Sequence, residues 1–445
     1  MPSELGPAMA NDTNTQFVLN LIADGLIGWS FKEGIYPEIS ESWEERSEGE
    51  VIFKLKSNIK NFLGEIQTCK EINAIFNNNK KANGPFLSTY NEITSIDCKS
   101  PILLHFKSKM STKSLLSFLA SPQGKIINYI ENKKFNGVGP FDIVIQKNEI
   151  NLTKNNFYYD SKNIHLKAIT LIVKNDQNSI QAFKKKELDL ILLSNLTGLD
   201  TQFALKDEIH SLNLWSTWGI AFNQKIKPFD DKKLRHCLIQ NTNSAEWIQL
   251  FYPSDLPAFG PIPFGVIGYT KAKKIFSQKI TPVNEDVKVY VPKELQRSDE
   301  MVIWIKNNFS KCMSKEKIKI IVLNFDKMLE MFNSRSMGAY LMSFNKETIS
   351  NEQYYRSFYA LGKENFYNNN SIKTASAFEG LAKATSNDFE KVNLEIQNSL
   401  AEDAVMIPLM HPVHKVLIRN CIKNVILNPI NEGYFNIKNA RNLCN

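Results

Sequence analysis

The sequence predicts an α/β protein built as two lobes, and three observations carry that prediction. The chain has 445 residues, 43% of them hydrophobic, which is more than one ordinary core holds before a chain divides into domains. The stretch 287–323 reads strand, helix, strand: Val287–Val291 and Ile318–Leu323 are short β-branched runs with a helical stretch near Asp299–Ser310 between them, the order that builds an α/β layer. Short apolar runs and helical periods follow one another along the rest of the chain, without an internal repeat.

The elements follow in order. In Thr15–Ile27, Phe17, Val18, Leu21, Ile22 and Leu26 keep the i, i+3, i+4 spacing of a helix that Gly25 and Gly28 end. In Val51–Ile59, Phe53 and Leu55 alternate with Lys54 and Lys56, the pattern of a half-buried strand. Ile102–Phe106 is a second strand, and Asn136–Phe141 (NGVGPF) is a turn. Strands are expected at Asp142–Gln146, Glu149–Thr153 and Ile169–Val173, then a helix at Ser179–Glu187 before the apolar run Leu188–Leu193. Ile220–Phe222 is a short apolar stretch, Asp231–Leu250 one helix and Pro257–Pro263 a loop. Asp388–Ala404 is an amphipathic helix that leads into a return strand at Ile407–Met410.

Composition excludes several classes. The net charge is +8, with seven arginines among 54 basic residues. The basic runs Lys184–Lys186 and Lys271–Lys274 lack the interleaved aromatics or motif of a nucleic-acid reader, so they are solvated faces and no nucleic-acid partner is expected. The six cysteines form no CxxC, which leaves room for one or two disulfides in an oxidising compartment, with the pairing open. No apolar run reaches 18 residues. Met1–Glu4 opens without a basic and then apolar segment, so the sequence as given carries no signal peptide. Nucleophile-elbow, zinc-protease and phosphate-loop motifs are absent, and no enzyme is expected. His411 and His414 flank Pro412, which opposes a helix that would align them, so neither a metal nor a cofactor is expected. Trp43 and Phe53 read as core aromatics, and Arg235 beside Asp230 and Asp231 as an ion pair at a helix start.

Five ordered segments then carry a resemblance: Gly34–Trp43 (GIYPEISESW) followed by Val51–Lys56; Gly137–Phe141 (GVGPF); Ala182–Asp189 (AFKKKELD); Ile220–Asn223 with Pro228–Leu238 (PFDDKKLRHCL); and Ile396–Leu409 (IQNSLAEDAVMIPL). Together they resemble the bacterial extracellular solute-binding proteins of family 5, the oligopeptide, dipeptide and nickel type. The resemblance implies a two-lobed periplasmic-binding-protein-like fold of type II, with a reduced extra subdomain and a ligand cleft between the lobes. Lobe I would take residues 1–222, with a small outer subdomain at about 44–135, lobe II residues 223–411, and 412–445 would return to lobe I. Crossovers would lie at Ala221–Asn223 and His411–Val413. The implied function is to capture a peptide-like or other small solute by hinge closure and to deliver it to the membrane permease of an ABC importer. The protein would act as a monomer, periplasmic or membrane-anchored outside the cytoplasm, with a signal preceding residue 1. The alternative is a ligand-sensing regulatory module of the same fold.

The site residues expected from the resemblance sit near those crossovers. Asp12 and Asn14 lie in the first loop of lobe I. Trp215 and Trp218 precede the first crossover and suit ligand stacking or core packing. Asn223 stands at the crossover, and His411 follows the last strand of lobe II. Tyr340, Ser343 and Phe344 fall where the family carries its W-x-x-D-Y turn. Ser343 would replace the aspartate that pairs with a peptide's α-ammonium, so a general binder of free-amino-terminus peptides is not expected.

Overall fold

The computed structural model describes the chain except residues 1–4, 11, 31–32, 83, 131–133, 147–148, 194–205, 267–268, 270–284, 296, 347–350, 359–364, 366, 384–387, 431–434 and 445. It divides into two compact units, residues 1–191 with 418–445, and residues 192–346 with 351–417.

The first unit runs α1 (Thr13–Ile22), β1 (Ile27–Ser30), β2 (Gly34–Pro37), β3 (Ser40–Ser47), β4 (Glu50–Leu55), α2 (Cys69–Lys81), α3 (Leu87–Glu92), β5 (Ile93–Ser100), β6 (Leu103–Ser108), α4 (Thr112–Leu119), β7 (Ile127–Ile130), β8 (Lys134–Gly137), β9 (Phe141–Gln146), β10 (Glu149–Lys154), β11 (Ala168–Ile172) and α5 (Asp176–Lys184). The alternation read in β4 is observed: Val51, Phe53 and Leu55 are buried and Lys54 is exposed. That face belongs to the sheet β3-β4-β6-β5 and packs beneath α2 and α4. Phe106 meets Phe53 and Phe76 edge-on at 5.5 and 5.4 Å, an arrangement that suits the ring quadrupoles. A capping box of Thr68 and Glu71 starts α2.

Helix α1 stops at Ile22, short of the expected Leu26. Ala23 is already extended, and the Gly25 N–H donates to the Glu38 carboxylate at 2.6 Å, so the chain turns there into β1. The GVGPF turn has a steric reason. A Cβ on Gly139 would stand 2.3 Å from the Ile22 carbonyl carbon, while the Gly139 N–H donates to the Ile22 carbonyl at 3.1 Å. Only glycine lets the strand-entry turn rest against the end of α1.

Strand β12 (Leu190–Leu193) carries the chain across the unit boundary. The second unit holds β13 (Ile209–Asn213), β14 (Ser216–Phe222), α6 (Lys232–Asn241), α7 (Ser244–Phe251), β15 (Leu256–Pro257), β16 (Val287–Pro292), α8 (Ser298–Phe309), β17 (Ile318–Leu323), α9 (Phe325–Asn333), β18 (Ala339–Asn345), α10 (Asn351–Arg356), α11 (Ile372–Lys383), α12 (Phe389–Glu402), β19 (Met406–His411) and β20 (Val413–Ile418). Six strands form one sheet in the order β15-β19-β14-β18-β16-β17. The predicted strand–helix–strand is there, with β16 and β17 parallel around α8. One core lies around Trp247, Trp304 and Phe309, and a second around Tyr290, Tyr340 and Tyr355.

Several expectations are corrected. The first boundary lies at residue 191 rather than 222, because β14 is an inner strand of the second unit's sheet and pairs on both sides with β18 and β19. The second lies at 417 rather than 411, since β20 pairs with β13 inside that unit. The single helix 231–250 is two, because Asn243 leaves the helix and caps α7 by accepting from the Glu246 N–H. Arg235 does not pair with Asp230 or Asp231 through their carboxylates. It is buried and donates to the carbonyls of Phe229, Asp230, Asp403 and Ala404. Burial brings its pKa down to about 10, and Asp231 instead caps α6. All six cysteines are paired, one bridge more than the upper expectation: Cys69–Cys98 and Cys421–Cys444 in the first unit, Cys237–Cys312 in the second.

Candidate functional site

One end of the second unit's sheet gathers five of the expected residues. The β14–β18 register sets Trp218 opposite Ser343, Thr217 opposite Phe344 and Ser216 opposite Asn345. The ladder runs on through the Lys346 N–H, which donates to the Trp215 carbonyl at 2.8 Å. The Lys346 side chain is 1% exposed, and its ammonium lies 4.9 Å from the Trp215 ring centroid, within cation–π range. On the other side of β14, His411 ends β19, paired with Leu256 of β15.

His411 is 1% exposed. Its Nδ1 stands 3.2 Å from both the Ser216 carbonyl and the Thr217 hydroxyl. Burial pulls its pKa down to about 4, with the Ser216 bond opposing, so the ring is neutral near pH 7. A carbonyl only accepts, so Nδ1 carries the hydrogen. The hydroxyls of Thr217 and Tyr354 both donate to the Pro261 carbonyl, at 3.0 and 2.6 Å. The His411 Nε2 has no partner among the described residues. Tyr269 meets the His411 ring edge-on at 5.6 Å, and Phe264 meets Tyr269 at 5.4 Å. Phe259 and Phe264 are each 40% exposed. Gly265, at φ +84°, lets its loop pass Trp215, whose Nε1 would lie 3.4 Å from a Cβ there.

The other candidates lie elsewhere. Tyr340 pairs with Ala221 towards the opposite end of β14, and Asn223 follows that strand. Asn223 is engaged on every side: its Nδ2 donates to the Arg335 carbonyl, and its Oδ1 accepts from the Lys225 N–H and the Asn368 amide. Tyr340 packs on Phe332 and Phe344, and burial pushes its phenol pKa up. The turn expected over 340–344 is strand β18 instead, with Phe344 buried against Tyr367 at 5.2 Å. Ser343 is half-buried in that strand, and 347–350 lie outside the described residues. In the first unit Asp12 caps α1, accepting from the Thr15 N–H at 2.9 Å, and Asn14 is exposed in the first helical turn.

Sequence reading missed a buried charge cluster in the first unit. Asp24, 1% exposed, accepts from the Tyr158 and Tyr159 hydroxyls at 2.7 and 2.8 Å and from Lys438 at 3.0 Å. Glu38 pairs with Lys125 at 3.0 Å, and Lys56 donates to the Glu38 carbonyl. Burial works against Asp24 ionising, but Lys438, Lys125 and the two phenols outweigh it and hold the carboxyl below its ordinary range. A small cavity opens beside the cluster between Asn20, Trp29, Tyr36, Asn428 and Asn436. Lys438 is 414 residues from Asp24, so no local pattern announces the pair. Among the described residues no group of His, Cys, Asp and Glu is arranged to hold a metal, and no helix is long and apolar enough to cross a membrane.

The family model of bacterial extracellular solute-binding proteins, family 5 (middle region), matches residues 34–366. No curated protein sequence matches the chain. Among solved structures, the chain resembles the oligopeptide-binding protein AppA of Bacillus subtilis, in complex with a nonapeptide, at TM-score 0.86 and 16% identity over 100% of this chain and 97% of that one. The substrate-binding domain of an oligopeptide ABC transporter from Bacillus anthracis gives TM-score 0.83 and 16% identity over 98% and 96%. A binding protein in complex with agropinic acid from A. tumefaciens R10 gives 0.81 and 18% over 95% and 92%. At these identities the likeness is one of fold.

Proposed function

The chain belongs to the bacterial extracellular solute-binding proteins of family 5, the solute-capturing components of ABC-type importers, and from that premise we propose that it captures a peptide-like or other small solute at the Trp215–His411 end of the second unit. The observation that carries this is the partly exposed aromatic pair of Phe264 and Tyr269 packed on buried His411. An exposed apolar patch backed by a few fixed polar groups is the usual make-up of a ligand site. Trp215 and His411 would touch the solute, and Trp218, Ser343 and Phe344 would hold them in place. Tyr340 and Asn223 are left to the scaffold.

The family's members are binding proteins, and no chemical step is assigned to this one. The partners are the solute and a membrane permease, and the protein acts as a monomer. Three disulfides, one for every pair of cysteines, suit an oxidising extracytoplasmic compartment, reached by a signal ahead of residue 1. Hinge closure requires only that the solute bind the closed state better than the open one. The test is a di- to pentapeptide library, read by calorimetry, melting temperature and small-angle scattering. A peptide at 100 times its Kd should add about 2.7 kcal/mol of stability and change the scattering profile. Binding with an unchanged profile would reject closure, and no binding by any peptide would reject the peptide-like class.

A further inference from the structure

We propose that His411 is the specificity-determining residue of this site, and that it demands an N–H or O–H donor from the solute, carried next to a flat or apolar group. The inference deepens the reading above and rests on it: this end of the second unit's sheet must face the solute.

Hydrogen positions fix the tautomer of His411. The Ser216 carbonyl and the Thr217 hydroxyl both lie 3.2 Å from Nδ1. The carbonyl cannot donate. The Thr217 hydroxyl has its hydrogen on the Pro261 carbonyl, so towards Nδ1 its oxygen is an acceptor as well. Both partners therefore need the hydrogen on Nδ1, and the imidazole is held as that tautomer. Nε2 is left with a lone pair and nothing to accept from among the described residues. Such an atom, buried, costs stability, and buried polar atoms are nearly always paired. A solute that supplies a donor removes that cost, and one that lacks the donor does not.

The same lone pair repels a carboxylate or phosphate oxygen at this point, so the group read here is a donor and not an anion. An amide N–H and a sugar-type hydroxyl share this chemistry. The ring steps from His411 through Tyr269 to Phe264 give the part of the solute beside that donor a flat surface to lie on.

The experiment has one arm without solute and one with it. Nitrogen NMR of histidine-labelled protein, with the His411 signals assigned by their loss in His411→Gln, should show a protonated Nδ1 and a bare Nε2. A bare Nδ1 overturns the proposal whatever the solute. In the second arm the probe is the tightest-binding member of the peptide library, with its backbone amides N-methylated one at a time. Binding should move the Nε2 signal. His411→Leu should weaken binding about tenfold or more, while His411→Gln, whose side-chain carbonyl still accepts, should stay within a few-fold. One N-methylated peptide should lose affinity for the native protein and for His411→Gln but not lose further for His411→Leu. Equal binding by His411→Leu and the native protein overturns the proposal and leaves the family function standing. If no peptide binds, a set of sugars and polyols takes the peptides' place with the same variants. Binding there that is blind to His411→Leu overturns the proposal, and binding that depends on it upholds the proposal while removing the peptide-like class.

Discussion

Acid should weaken the second unit between pH 6.5 and 4, through two buried histidines. Burial brings both His411 and His414 from 6.5 down to about 4. The folded protein keeps them neutral where the unfolded chain would protonate them, so the unfolded state binds more protons and stability falls with pH. The contribution is fully present above pH 6.5 and is lost as pH drops towards 4. At about 1.4 kcal/mol per pH unit, each histidine should cost about 2 kcal/mol by pH 5 and about 3 kcal/mol by pH 4. His236, also lowered by burial, adds in the same direction. Asp24 does not interfere, because its depressed carboxyl loses its contribution only below 3.8. The assay is urea unfolding at pH 7.5 and 5.0, followed by tryptophan fluorescence. His411→Gln cannot protonate, so it should lose about 2 kcal/mol less than the native protein over that interval. Equal losses in the two proteins would refute the reasoning from burial.

Three further outcomes are expected. Lys438→Met should destabilise the first unit by about 3–5 kcal/mol by leaving the Asp24 charge buried without its cation, and Lys438→Met with Asp24→Leu should recover part of that loss; chemical denaturation of the two variants measures both. Gly139→Ala should lower the melting temperature sharply, since its Cβ would stand 2.3 Å from backbone atoms of Ala23 and Ile22, and a melting curve like the native one would show that the turn can move aside. Reducing the Cys237–Cys312 bridge, which spans 75 residues, should cost about 2–4 kcal/mol, read by calorimetry with and without a thiol reductant.

Where the signal was periodic and local, the fold was legible. Val51, Phe53 and Leu55 announced β4, and the strand–helix–strand from Val287 to Leu323 announced two parallel strands. The errors came where a tertiary contact overrode a local pattern. The period that runs on to Leu26 is cut because Glu38, thirteen residues later, takes the Gly25 N–H. The run Tyr340–Phe344 was expected as a turn from the resemblance alone, and in the structure it is a strand paired with β14 and β16. Of the proposed site, Trp215 and His411 could be named, but not that the His411 Nε2 finds no partner among the described residues. The tautomer depends on which way the Thr217 hydroxyl points, and that depends on Pro261. The charge cluster in the first unit joins residues 24, 38, 125, 158 and 438, and nothing in any short window links them.

That cluster bears on how the chain is made. Synthesis delivers Asp24 414 residues before Lys438, with the whole of the second unit between them. Until the final residues emerge, the nascent first unit must either keep Asp24 in water, away from its buried place, or bury it without its cation. Burying a carboxylate without a partner is costly, so the N-terminal segments are biased to stay open. A buried charge whose partner lies beyond an inserted unit delays closure of the first unit, and it lets the second settle first as a finished insert within an unfinished one.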